Sequence, residues 1–190
     1  NTDTEQAVVD WDLQFNFYDE TGSPIILDTG LEGGRMPTQE SVIFPGSQYL
    51  FCTNLSGEAN KAAARFDVTL DPKTPGVTLA LNQNPLSINS HVFLPVSEYN
   101  NAIGTVRAVI QNANPVDVVV PQTTAALFDG SGKLSGCGHS INSPMFVPGG
   151  GQAISEFAVF SSEQPASTKA FVSMMDLTGS DYYLPVEPLA

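Results

Sequence analysis

The chain has 190 residues and a formal net charge of −13, with 42% hydrophobic and 9% aromatic residues. This composition predicts one large or two small folded domains and argues against intrinsic disorder. Seven basic residues against 20 acidic ones argue against binding to nucleic acid or anionic lipid, because that affinity comes mainly from Lys and Arg neutralising phosphates. No apolar run approaches the roughly 20 residues of a membrane span, so we expect no membrane insertion.

The first predicted element is a strand over residues 9–18, where apolar and polar residues alternate. A period of two is typical of a half-buried strand. We expect the apolar face to be buried together with Phe66 and Val68, and the polar face to contact water or a neighbouring molecule. The apolar positions are Val9, Trp11, Leu13, Phe15 and Phe17, and the polar positions are Asp10, Asp12, Gln14 and Asn16.

A tight turn follows at Asp19-Glu20-Thr21-Gly22, because Asp can accept hydrogen bonds from nearby backbone and Gly tolerates positive φ. Residues 24–27 then fold back as the second strand of a hairpin. We predict a loop at residues 28–40 and a corner at Pro45-Gly46. Short strands are expected to follow in the order 41–44, 49–52, 64–70, 77–81 and 92–96.

The second half repeats this order of landmarks. Residues 105–111 and 116–120 are predicted strands, and residues 123–128 lead into the turn Asp129-Gly130-Ser131-Gly132. The pairs of similar segments in order are Phe44-Pro45-Gly46 with Val147-Pro148-Gly149, 49–52 with 153–160, Ala64-Arg65-Phe66 with Lys169-Ala170-Phe171, and 92–96 with 182–186. The order indicates an internal duplication. We therefore predict an all-β protein of two tandem immunoglobulin-like β-sandwich domains, 1–97 and 98–190.

The repeated unit resembles the FxLYD-type immunoglobulin-like domain of secreted microbial proteins. The matching residues are 15–22 (FNFYDETG) in the first copy, and 126–132 (ALFDGSG) with Val147-Pro148-Gly149-Gly150 in the second. The second copy also has a family-like opening at residues 104–112. The resemblance implies a sandwich fold in degenerate tandem copies, and it carries no catalytic residues.

Acidic residues are the candidate metal ligands. Asp10 and Asp12 lie on one strand face, and Asp19 and Asp129 lie in turns where carboxylates can gather around Ca²⁺. The alternative for Asp19 and Asp129 is a local turn in which the carboxylate bonds its own backbone. A copper site built from Cys137, His139 and methionines 145, 174 and 175 lacks the expected loop spacing. We expect no resident cofactor, with Ca²⁺ as the one candidate.

The motifs of nucleophilic catalysis are absent from the sequence, which has no G-x-S-x-G and only two histidines, His91 and His139. We therefore expect no enzyme activity. The chain starts at Asn1 without Met, which is expected of a mature secreted or cell-surface product. Asn54 begins a glycosylation acceptor sequence. Cys52 and Cys137 either pair, which would stabilise the fold by about 4 kcal/mol, or remain free, and the sequence leaves both states open.

These features predict a non-enzymatic extracellular structural protein whose partners are other copies of itself. The first copy lacks the leading strand that residues 105–111 supply in the second, so it has an open sheet edge. We expect residues 77–81, the linker or a strand from another subunit to fill it, with residues 1–6 as the preferred donor in a fibre, pilus or surface layer. The alternative is a stand-alone adhesive module that binds glycan or a surface protein.

Overall fold

A computed structural model describes residues 11–25, 35–37, 41–48, 50–52, 64–72, 86–95, 101–120, 122–140 and 145–175. These residues form fourteen strands and no helix. Within them, then, no helix could cross a membrane. The strands are β1 (Trp11–Tyr18), β2 (Pro24–Ile25), β3 (Arg35–Pro37), β4 (Ser41–Val42), β5 (Arg65–Pro72), β6 (Ser87–Leu94), β7 (Gly104–Gln111), β8 (Val118–Val120), β9 (Thr123–Phe128), β10 (Leu134–His139), β11 (Met145–Val147), β12 (Gln152–Ser161), β13 (Ser167–Val172) and β14 (Met174–Met175).

The sheet of the N-terminal half is built around β1. Short strands β2 and β3 pair with one edge of β1, and β5 pairs with the other edge along its full length, from Tyr18 opposite Arg65 to Trp11 opposite Pro72. The predicted hairpin and the strand at residues 64–70 are confirmed. The prediction of an unbroken loop at residues 28–40 is wrong, because Arg35–Pro37 continues the pairing that β2 begins.

The larger sheet has six strands in the order β13-β9-β10-β12-β7-β6. Strands β10 and β12 approach closely, since a Cβ added to Gly138 would lie 2.2 Å from the carbonyl oxygen of Ala158, so only glycine permits this approach. The two edge strands of the sheet also meet. His91 Nε2 in β6 lies 2.9 Å from the carbonyl oxygen of Thr168 in β13 and donates to it.

One unit, a hairpin plus a third strand, occurs in both halves. In the first unit β5 pairs with β1, and in the second β13 pairs with β9. The third strand enters each unit through the same backbone bond, from Ala64 N to Tyr18 O and from Ala166 N to Phe128 O, each 2.8 Å. By this geometry Phe66 is equivalent to Thr168, three residues from the Phe171 that the sequence comparison paired with it.

The proline-containing corners are likewise shifted relative to the sequence match. One turn closes from Ser47 N to Phe44 O, with Gly46 at φ 68°, and the other from Gly151 N to Pro148 O, with Gly150 at φ 66°. Phe44 is therefore equivalent to Pro148. After the first corner, the predicted strand at residues 49–52 is wrong over the described residues 50–52, which are irregular.

The core joins segments from both halves. Phe44 and Leu86 pack with four buried residues of the C-terminal half, which are Ile110, Val118, Val120 and Val147. Strand β14 pairs with β4, and β6 pairs with β7 across the predicted boundary at residues 97 and 98. Ser87–Leu94, assigned by sequence to the first domain, thus extends the sheet of the second half.

The predicted core around β1 is only partly correct. Leu13 and Phe17 are buried, but Phe66 and Val68 are exposed, so their predicted burial is wrong. Gln14 and Asn16 are half-buried rather than fully open to water. The side chains of Trp11 and Asp12, and all of Val9, Asp10, residues 77–81 and residues 182–186, lie outside the described residues.

Candidate interaction surface

The most exposed apolar part of the N-terminal sheet lies on β5. Alternation along this strand puts Phe66 and Val68 on one face and Arg65, Asp67 and Thr69 on the other. Phe66 lies directly opposite Phe17 of β1, and Val68 lies opposite Phe15. Phe66 and Val68 therefore lie on the same face of the sheet as the buried side chains of β1. Within the described part of the chain, β5 pairs with β1 alone, so its second edge has no strand partner.

The apolar face is covered over β1 and open over β5. Leu13 packs with Ile43, and the ring of Phe15 lies 5.5 Å from that of Phe51. Phe66 contacts Phe17, with ring centroids 6.3 Å apart, yet Phe66 remains 61% exposed and Val68 46% exposed. Among the described residues, this edge of the sheet therefore presents an exposed Phe and a β-branched Val on one face with no strand paired beside them.

The opposite face of β5 carries charge. The Arg65 guanidinium lies 4.5 Å from the centroid of the Tyr18 ring, and its Nη2 lies 3.8 Å from Asp67 Oδ2. Both members of this ion pair are more than half exposed, so they add little to stability within the chain. Their charges therefore remain available to a partner.

The equivalent strand of the second half is covered. Ala170 in β13, the equivalent of Val68, is only 9% exposed, and the carbonyl of Thr168, the equivalent of Phe66, accepts the His91 bond. Strand β6 thus lies beside β13 at Thr168. Over the described residues, the two halves thus share a three-strand unit, but another strand meets its third member only in the second half.

The predicted calcium ligands Asp19 and Asp129 lie in two matching turns. Asp19 Oδ1 accepts hydrogen bonds from the backbone and hydroxyl of Thr21 and from Ser23 N, at 2.8, 2.7 and 2.9 Å. Asp129 Oδ1 accepts the same three bonds from Ser131 and Lys133 N, at 2.8, 2.7 and 3.0 Å. Hydrogen bonds from Thr21 and Ser131, respectively, are the main cause that lowers the pKa of each carboxyl. The observed geometry is that of local turns.

No metal cluster is seen in the parts of the chain described here: no three His, Cys, Asp or Glu side chains gather there. Of the other calcium candidates, Asp10 lies outside those parts, as does the side chain of Asp12. Cys52 and Cys137 form a disulfide, which removes the thiolate that the copper arrangement required. Burial lowers the pKa of the His139 imidazole, which favours its neutral form. Asn54 lies outside the described residues.

A buried polar cluster at Asn112 was not expected from the sequence. The Asn112 Nδ2 donates to the carbonyls of Val116, Val147 and Pro148 at 2.8, 3.0 and 3.2 Å. Its Oδ1 accepts from the backbone and side-chain nitrogens of Asn114, both at 2.9 Å. The sequence indicated only a turn here, since nothing local shows that β11 closes over it.

Comparisons with known proteins add no family. No family model matches the chain, and no curated protein matches it. The resemblance to FxLYD-type domains therefore stays a prediction.

Proposed function

We propose that this chain is a non-enzymatic extracellular structural protein, a subunit that assembles with copies of itself by strand addition into a fibre, pilus or surface layer. The observation that carries the proposal is the second edge of β5, which has no strand partner among the described residues and presents Phe66 and Val68. An eight-residue strand with such an edge is a template for another strand.

Two further observations support this proposal. The Cys52–Cys137 disulfide suits an oxidising compartment, as expected of a secreted protein. The repeated three-strand unit supports an internal duplication of an immunoglobulin-like unit, whose two copies share strand pairing across the predicted boundary through β6 and β14. The proposal includes no cofactor and no catalytic residue.

The test compares the intact chain with one surface variant and one matched control. Phe66→Lys puts charge on the β5 face, whereas Phe146→Lys changes a similarly exposed phenylalanine, at 58%, on β11. Analytical ultracentrifugation over a concentration series and negative-stain microscopy should show assemblies for the intact chain and for Phe146→Lys. Phe66→Lys should not form these assemblies. A chain that is monomeric at every concentration would instead support the adhesive module that binds glycan or a surface protein.

A further inference from the structure

The sequence of β5 is complementary to itself in the antiparallel direction. Residues 65–71 read Arg-Phe-Asp-Val-Thr-Leu-Asp. When two copies are placed antiparallel with Val68 opposite Val68, Phe66 meets Leu70 and Arg65 meets Asp71, each twice. Apolar positions then face apolar ones, and each basic residue faces an acidic one, which are the pairs that stabilise neighbouring strands.

We propose that the second edge of β5 binds β5 of another copy, antiparallel and in this register, to join two N-terminal sheets into one. The inference deepens the proposed function and rests on it, because it names the strand that strand addition uses. The partner is a second copy of this chain.

Other registers fit less well. A shift by one residue would place Phe66 opposite an acidic or polar residue, since side chains alternate between faces. Placing Asp67 opposite Asp67 brings like charges together, which destabilises a strand pair. Placing Phe66 opposite Phe66 aligns Arg65 with Asp67 but shortens the overlap at the Asp71 end. The register centred on Val68 pairs all seven residues.

The pair has twofold symmetry, so it closes after two copies. A fibre then requires a second contact at another surface.

Cysteine scanning tests directly which residues of the two β5 strands lie opposite each other. Single variants Phe66→Cys, Asp67→Cys and Val68→Cys are made in the full chain, whose two native cysteines are already paired. In a symmetric antiparallel pair only the central residue lies opposite itself, within the Cα separation that a disulfide spans. Mild oxidation should yield covalent dimers from Val68→Cys and not from the other two. Dimers from Phe66→Cys or Asp67→Cys instead would overturn the register.

Charge exchange gives a second test. In the proposed register, residue 65 of each copy lies opposite residue 71 of the other. Arg65→Asp therefore places two acidic side chains opposite each other at both ends of the strand pair, and it should weaken dimerisation about tenfold. Asp71→Arg should have the same effect, because it places two basic side chains opposite each other at both ends. The double variant Arg65→Asp, Asp71→Arg restores opposite charges and should recover wild-type dimerisation. Thermal melts followed by circular dichroism verify that each variant is folded.

The outcomes separate this inference from the proposed function. Assemblies that form without any cross-link at positions 66–68, and that ignore the charge exchange, would leave the proposed function standing and overturn the β5 pair. A chain that stays monomeric in sedimentation would overturn both.

Discussion

Replacing Asn112 should destabilise the fold more than a substitution at any exposed asparagine. Its side chain is fully buried and makes five hydrogen-bond contacts, three through Nδ2 and two through Oδ1. Each net bond contributes about 0.5–1.5 kcal/mol, and buried carbonyls left without a donor cost more. Asn112→Ala should therefore lower the free energy of unfolding by about 3–5 kcal/mol, measured by urea denaturation.

Asn112→Asp gives a sharper test. Asp has nearly the same shape as Asn, but its carboxylate accepts hydrogen bonds where the Asn112 Nδ2 donates them. The introduced carboxylate would face three carbonyl oxygens, so its pKa rises above the unfolded value of about 3.9. Because the folded pKa is raised, the loss of stability that Asn112→Asp causes is small below about pH 4 and grows as pH rises through the folded pKa. The control Asn89→Asp, on the exposed surface of β6, should change stability little. A loss at Asn112→Asp that does not vary with pH, or Asn112→Ala within about 0.5 kcal/mol of wild type, would refute the role of this side chain.

Three further results are expected. Alkylation of the unreduced native protein should find no free thiol, and replacing both Cys52 and Cys137 by Ala should cost about 4 kcal/mol, since the bridge closes a separation of 85 residues. Ser155→Ala should be neutral or stabilising, because Ser155 Oγ is buried without a partner among the described residues, whereas Ser173→Ala should cost about 1 kcal/mol as it loses bonds to Gln122. NMR titration should find the pKa of Asp129 below 3.8, and Ser131→Ala should raise this pKa by removing the main hydrogen bond. Because the folded pKa is lowered, the stability that this carboxylate contributes is present above pH 3.8 and is lost as pH falls through the lowered pKa.

The hairpins could be predicted because their signals are local. Alternation over β1 and the Asp–Gly turns at Asp19 and Asp129 need only neighbouring residues, and the structure confirms both turns down to the positive φ of Gly22 and Gly132. The register of the third strand could not be predicted in this way. It is fixed by the bonds of Ala64 and Ala166 to distant strands, so the sequence comparison placed Phe66 against Phe171 rather than Thr168.

Burial and pairing depend on chain segments far apart in sequence. The pattern of β5 correctly gives one apolar face, but it carries no information on whether another strand covers that face. Asn112 looks like an ordinary turn residue until Val147, 35 residues later, closes over it. The cysteines show the same limit, since two thiols 85 residues apart give no local sign of pairing.

The difference between β5 and β13 bears on how strong an assembly through β5 can be. Fully burying an exposed Phe or Val contributes about 1.5–3 kcal/mol each. Because Phe66 is 61% exposed and Val68 46% exposed, two copies that bury the rest of both side chains gain roughly 3–6 kcal/mol. Association costs an estimated 4–15 kcal/mol in lost freedom, which is of the same order. A β5 pair alone is therefore a weak, concentration-dependent contact. Stable fibres need a second contact acting on the same subunits, because linked contacts multiply rather than add in affinity.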